Sequence, residues 1–322
     1  MRLIMLGTGP FGVPTLRALA ASPHEVLLVV CRPPRSRTRE TSPLQRAADE
    51  LGVEVWLPDS VNLPDSHSRL ESLAADLLVV CDYGEILRPA TLATTRLGGV
   101  NLHGSLLPKY RGAAPVQWAI LRGEQQTGNT VIQMTPGLDA GPCLGQQRTP
   151  IDPDEDAATL EARLAEIGAA LVRQVVEQLA SGTAQPLEQD AGQASKAPRL
   201  TKQHGAIDWS RPALEIKNLV RGVRPWPRAY TFWHRAEGPP PRLNVDRVTI
   251  VPGQAASAAA PTGRTEPGTV VDVAKRLLVA TGDGIVEVLE LQPAGKRSMS
   301  AAEFLRGHRV SVGDRLGPAD QG

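Results

Sequence analysis

The first half of the chain repeats one pattern: a short apolar run, a turn, then an amphipathic stretch with helical spacing. RLIML at 2–6 passes through a glycine-rich turn into VPTLRALAAS. EVLLVV at 25–30 is followed by a polar, arginine-bearing loop over 31–42, then by PLQRAADELG with Gly52 as its stop. VEVWLP, ADLLVVCDYG and GGVNLH are further strand candidates, separated by polar helical segments. Strands that alternate with helices in this way must be covered on both faces by crossover helices. The fold class that follows is α/β, a doubly wound, Rossmann-like, mostly parallel sheet. TGNTVIQMTPGLDAGP adds a strand that runs into a loop of small residues, and TLEARLAEIGAALVRQVVEQLASG is a long helix closing this first domain over 1–184.

The pattern stops at about Thr183, where Gln, Ala, Pro, Ser and Lys suggest a linker over 185–205. One helix, ALEIKNLVRGV, and the short strands AYTFWH, RVTIV, TVVDVA, LLVATG and IVEVLELQP follow, bounded by Gly, Pro and Asp. They imply a smaller β-rich, OB-like barrel domain over 206–314, with a tail at 315–322. PGQAASAAAPTGRTEPG reads as a loop, and Ser300 with Glu303 has the spacing of a capping box starting a last helix. A net charge of +1 means that any RNA contact must come from a local basic patch. Cys31, Cys81 and Cys143 are too widely spaced for a metal motif or a disulfide framework, so no metal is expected, and Cys31 and Cys81, which end apolar runs, are expected as small buried hydrophobes. The N-terminus has no leader-cleavage pattern and no apolar run reaches bilayer length, so the expectation is a cytoplasmic protein without membrane contact.

Gly7-Thr-Gly9-Pro-Phe-Gly12 matches G-x-G-x-x-G between a strand and a helix, the setting of a dinucleotide turn. The second strand, however, ends at Val30-Cys31-Arg32 without the acidic residue that would hold a ribose. Arg32 is compatible with the 2′-phosphate of NADP, which leaves an NADP-dependent oxidoreductase as one reading. Pro10 removes a backbone donor from the turn. The alternative is a tight turn that simply needs small residues.

GGVNLHGSLLPKYRGAAP carries the densest chemistry. Asn101 and His103 are two apart at a strand end, so both side chains project to one face where an open α/β sheet binds ligands. Gly104 permits close backbone approach and Pro108 stiffens the turn. TPGLDAGP places Asp139 in a loop of small residues at another strand end. Taken singly, His103 reads as a structural histidine and Asp139 as a turn former. Together, an amide, an imidazole and a carboxylate suit attack by an amine on a formyl carbon. Asn101 and a protonated His103 would donate to the oxygen that becomes negative, while Asp139 orients the ring and helps receive the amine's proton.

NLHGSLLPKYRGAAPVQWAI with QMTPGLDAGP resembles the folate-dependent formyltransferases, over nearly the whole chain, and most of all the branch acting on methionyl-tRNA. The resemblance implies 10-formyltetrahydrofolate as donor, methionyl initiator tRNA as acceptor, no metal, and a monomer. It implies Asn101, His103 and Asp139 as the catalytic trio. Folate contacts would come from Ser105, Leu106, Leu107 and Pro108, and from Tyr83 and Ile86 in CDYGEIL. It gives GTGPFGVPTL a role that needs no nucleotide, and it makes the C-terminal domain a tRNA-contacting one. RNA contacts would come from Arg32, Arg35, Arg37 and Arg39, and from Arg224 and Lys296. The chain departs from the family at Asp82 and Arg88 and in a shorter basic loop. Relatives use glycinamide ribonucleotide, an amino sugar nucleotide or water as acceptor; the basic loop and the distal domain favour tRNA. A small amine acceptor, and a non-catalytic RNA binder on the same fold, are the other readings. Trp209, Trp226 and Trp233 are expected in the core of the distal domain.

Overall fold

The computed structural model describes residues 1–34, 41–235, 238–252 and 265–319. The chain forms two compact units: Met1–Val116, Gln125–Ile151 and Thr159–Pro198 make the first, and Gln117–Glu124, Asp152–Ala158 and Arg199–Gly322 the second.

The first unit is built on β1 (Arg2–Gly7), β2 (Glu25–Val30), β3 (Val55–Trp56), β4 (Leu77–Cys81), β5 (Gly99–His103), β6 (Gln126–Gln133) and β7 (Cys143–Pro150). They form one seven-stranded sheet in the order β3-β2-β1-β4-β5-β6-β7. β1 to β5 pair in parallel, while β5 with β6 and β6 with β7 are antiparallel. β7 was not legible as a strand, because CLGQQRTP is an edge strand whose outer residues are mostly polar and exposed. The order reverses between β1 and β4, whose carboxyl ends therefore flank the crevice where doubly wound sheets bind ligands. The core explains the apolar runs: every residue of β4 is buried, and Leu3, Ile4, Met5 and Leu6 of β1 are fully covered. Each such side chain contributes on the order of 1.5–3 kcal/mol. α1 (Val13–Ala20), α2 (Pro43–Leu51), α3 (Pro64–Ser72), α4 (Pro89–Leu92), α5 (Pro115–Leu121) and α6 (Ala157–Ser181) supply the connections. Ser42 caps α2, and Gly52, left-handed at φ 68°, ends it as its sequence demands.

The second unit holds α7 (Ala213–Gly222), β8 (Ala229–His234), β9 (Arg242–Ile250), β10 (Val270–Asp272), β11 (Leu277–Ala280), β12 (Ile285–Pro293), β13 (Met299–Ser300), α8 (Ala301–Gly307) and β14 (Arg315–Gly317). The strands are antiparallel in the order β10-β11-β12-β9-β8-β14, with β13 beside β12. The Val270 amide donates to the Asp314 carbonyl at 2.9 Å and the Leu316 amide to the Gly268 carbonyl at 2.7 Å, so the last strand returns to the first and closes the expected barrel. Ser300 and Glu303 form the capping box read from the sequence.

Two boundaries differ from the expectation. The tail at 315–322 begins with a strand, since Leu316 pairs with Trp233 in β8. The linker at 185–205 is no linker over its first part. Leu187 exchanges both backbone bonds with Cys143, and the Arg111 carbonyl and amide pair with Ala197 and Ser195 at 2.7 and 2.8 Å. Polar composition suggested a free connection, but backbone pairing depends on neighbours that composition does not encode.

Candidate active site

β5 ends the parallel run of the first sheet, and Asn101 and His103 lie on one of its faces, opposite Ile132 and Thr130 of β6. Asn101 is half-buried and His103 is buried. Asp139, far along the chain, comes to 3.7 Å from His103, Oδ2 to Nδ1, and is itself only 13% exposed. Imidazole and carboxylate thus converge, with the Asn101 amide two residues away along the strand. Asp139 holds φ 48°, and its Oδ2 accepts from the Gly112 amide at 2.8 Å.

The imidazole does differ from the expectation in one respect. Its Nε2 lies 2.9 Å from the Tyr110 carbonyl, which can only accept, so Nε2 must carry a proton. The nitrogen open to chemistry is Nδ1, the one that faces Asp139.

The turn after β5 braces itself. Ser105 is fully buried, and its hydroxyl donates to the Lys109 carbonyl at 2.6 Å rather than facing a ligand. The Leu107 amide donates to Thr130 Oγ1 at 3.1 Å, and the Leu107 carbonyl accepts from Gln146 at 3.0 Å. Leu107 is buried, which leaves Leu106 and Pro108 half-buried at the surface. Tyr83 is likewise a core residue, packed with Ile4, Leu6, Leu28 and Leu87. Burial pushes its phenol well above the usual range. Ile86, by contrast, is 71% exposed. Burial also pushes the Cys81 thiol up to about 12, and Cys31 and Cys143 are shifted upward for the same reason. None of the three is suited to act as a nucleophile.

The glycine-rich turn is steric. A Cβ on Gly7 would stand 2.5 Å from the Cys81 carbonyl oxygen, and one on Gly9 at 2.5 Å from Asp82 Oδ2. A carboxylate therefore occupies the space a pyrophosphate would need, against the dinucleotide reading. Arg32 is not available for a 2′-phosphate either. Its guanidinium donates to Glu85 at 2.6 Å, and Glu85 also accepts from Ser60 and, at 2.9 Å, from Asn62. The Asn62 side chain then accepts from the Arg88 amide at 2.8 Å. Arg32, expected at RNA phosphates, thus braces the loop 82–88; Glu85 was missed because nothing local marks it. Arg35, Arg37 and Arg39 lie outside the described residues.

In the second unit, Arg221 and Arg228 are half-buried and bonded within the unit. Arg221 donates to the carbonyls of Asp152 and Glu155, and Arg228 grips Asp246 at 2.6 and 2.8 Å. Arg224, 41% exposed and 3.8 Å from Asp156, lines a cavity of about 300 Å³ with Lys217, Arg221 and Arg247. Lys296 is exposed. Trp209 and Trp233 are core residues as expected, but Trp226 is 52% exposed. Among the described residues no group of three or more His, Cys, Asp or Glu is placed to hold a metal ion, and no helix is long and apolar enough to cross a membrane.

Sequence residues missed at the site are Arg111, Gly112 and Gln189. The Gln189 Nε2 donates to the carbonyls of Asp139 and Gly141 at 2.8 and 2.7 Å, while its Oε1 accepts from Arg111 at 2.7 and 3.1 Å. The motif KYRGAAP contained the first two of these residues, whereas Gln189 sits in the stretch that composition marked as connecting.

The profile of the family described as formyl transferase matches residues 1–176, and that of its C-terminal domain residues 199–309. The methionyl-tRNA formyltransferase of Rhodopirellula baltica is 43% identical, over 98% of this chain and 96% of its own length. That of Solibacter usitatus is 42% identical, over 98% and 99%. Among solved structures, the N-formyltransferase of Helicobacter canadensis in complex with folinic acid and dTDP-3-aminofucose superposes with TM-score 0.67 at 16% identity, covering 90% of this chain and 98% of that one. A sugar 3N-formyl transferase crystallised with dTDP and 5-N-formyl-THF gives 0.65 at 15% identity, over 92% and 99%. At that identity they speak for the fold alone.

Proposed function

The chain belongs to the formyl transferase family, and from that premise we infer that it transfers a formyl group to the amino group of methionyl-tRNA. Full-length similarity to enzymes of that name supports the acceptor. The observation that carries the chemistry is His103 Nδ1 facing Asp139 Oδ2 at 3.7 Å, at the end of the strand that also bears Asn101.

Formyl transfer needs a stabilised oxyanion and one proton moved from the attacking amine to the departing folate nitrogen. The Asn101 amide supplies a donor for the oxyanion. Because Nε2–H is engaged with Tyr110, Nδ1 is the proton relay, taking the amine's proton with Asp139 opposite and passing one to the leaving nitrogen. The amine then carries the formyl group, and the donor leaves with an N–H. No serine or thiol nucleophile enters the sequence.

The donor in this reading is 10-formyltetrahydrofolate, with Ile86, Leu106 and Pro108 offering the apolar surface that a flat ring requires. The acceptor is the initiator tRNA, held by cations such as the half-buried Arg224 and the exposed Lys296, with Trp226 as a surface on which a base can stack. His103 and Asp139 come from one chain, so the site calls for no second copy. No resident metal is part of this mechanism.

Acid-gel analysis of charged initiator tRNA with the formyl donor tests this directly. Asn101→Ala is expected to lose on the order of 10²–10³ in kcat, the usual cost of one oxyanion donor, while remaining folded. His103→Ala and Asp139→Ala should lose at least as much. Full turnover in any of the three removes the mechanism, and a wild type that formylates another amine but not the tRNA removes the acceptor.

A further inference from the structure

We propose that Gln189 is a positioning residue of the active site, which sets the His103–Asp139 pair from a strap that the sequence presented as a linker. This rests on the formyl-transfer reading above and deepens it. The strap runs over residues 187–197 and binds both loops that orient the pair.

One loop bears Asp139. Its backbone takes up the left-handed φ of 48°, a conformation that a non-glycine residue keeps only where its surroundings hold it. The Gln189 amide holds it by donating to two carbonyls at once, those of Asp139 and Gly141. The other loop spans 108–112. It supplies both groups that orient the pair: the Tyr110 carbonyl on His103 Nε2 and the Gly112 amide on Asp139 Oδ2. Gln189 grips this loop too, through the Arg111 guanidinium on its Oε1. Ser195 Oγ accepts from the Tyr110 amide at 2.9 Å, and Ala197 pairs with Arg111.

One planar amide thus joins the carboxylate loop to the loop that fixes the imidazole. Its donor side faces the first and its acceptor side the second. No other side chain of the strap bonds to both loops among the described residues. Gln189 touches neither reacting atom, so it acts through the separation it imposes on Nδ1 and Oδ2. A shift of about 1 Å in such a pair typically costs about a hundredfold in rate.

The test compares wild type with Gln189→Met, which keeps the shape and removes both polar groups, and with Gln189→Glu, which keeps the Arg111 acceptor but loses the two donations to carbonyls. kcat, KM for both substrates and the melting temperature are measured for each. The same changes are then made on an Asp139→Ala background. The expected result is a fall in kcat of about 10- to 100-fold for both variants, with both KM values within about twofold. On the Asp139→Ala background the further loss should vanish, because the group being positioned is gone. Should Gln189→Met fail to fold, Gln189→Glu decides alone. Losses that simply add to that of Asp139→Ala, or a lowered melting temperature with unchanged kcat, would overturn the proposal while leaving the activity intact. A wild type without formyl transfer would overturn the functional reading first, and this one with it.

Discussion

Gly112 shows how a residue without a side chain takes part in the site. Its φ of 127° lies where only glycine is at ease, and an added Cβ would stand 2.6 Å from the Ala197 carbonyl oxygen. Its amide is also the donor to Asp139. Gly112→Ala must therefore rotate its own backbone or push the strap away, and either motion disturbs the carboxylate. Single-turnover formyl transfer is expected to slow by about a hundredfold. Unchanged turnover in a folded variant would show that Asp139 does not depend on this amide. The sequence contained Gly112 inside its densest motif, but its φ and its neighbour 85 residues away belong to the fold.

At the scale of elements, α6 and the carboxyl end of β4 bring two acids together. Glu161, half-buried on α6, has its carboxyl raised above the usual range, first by burial and then by the charge of Asp82. A carboxyl raised on folding contributes stability that is fully present below its unfolded value and is lost as the pH rises through its folded value. Glu161→Gln stays neutral throughout. Melting curves from pH 4 to pH 8 should show the variant gaining on wild type as the pH rises, with little difference at the acid end. A gain that does not depend on pH would contradict this sign. The helix itself was legible, because TLEARLAEIGAALVRQVVEQLASG repeats its apolar residues at helical spacing over 25 residues of observed helix. Its acidic neighbour was not, since Asp82 stands on another element. β7 was missed for a related reason: an edge strand with a solvated face carries only half of the apolar signal.

At the scale of the whole molecule, the second unit is not contiguous in sequence. Lys217 donates to Asp154 at 2.6 Å, Arg221 reaches the carbonyls of Asp152 and Glu155, and Gly222 packs against Ile120 and Leu121. These partners fall in two segments, Gln117–Glu124 and Asp152–Ala158, which lie outside residues 199–322 yet within this unit. A fragment of 199–322 lacks them and leaves α7 packed only on the barrel. It is expected to melt less cooperatively and at lower temperature than the same barrel in the full chain, as followed by circular dichroism and amide-proton exchange. A fragment with full-chain protection on α7 would mean that the inserted segments add nothing.

What the sequence by itself determined is whatever repeats or clusters locally: the alternation that makes the doubly wound sheet, the short strands of the barrel, the capping box at Ser300, the strand end that bears Asn101 and His103, and the loop that bears Asp139. Local periodicity records which face of an element is buried, and runs of small and polar residues record where a chain must turn at a ligand. Only the tertiary structure decided which imidazole nitrogen is free, that Arg32 serves Glu85, that Ser105 and Tyr83 are interior, and that a polar connecting stretch straps the site. Each of these depends on a hydrogen-bond partner or a packing surface supplied by another segment, and a residue's own neighbours in sequence carry no trace of the partner it will meet.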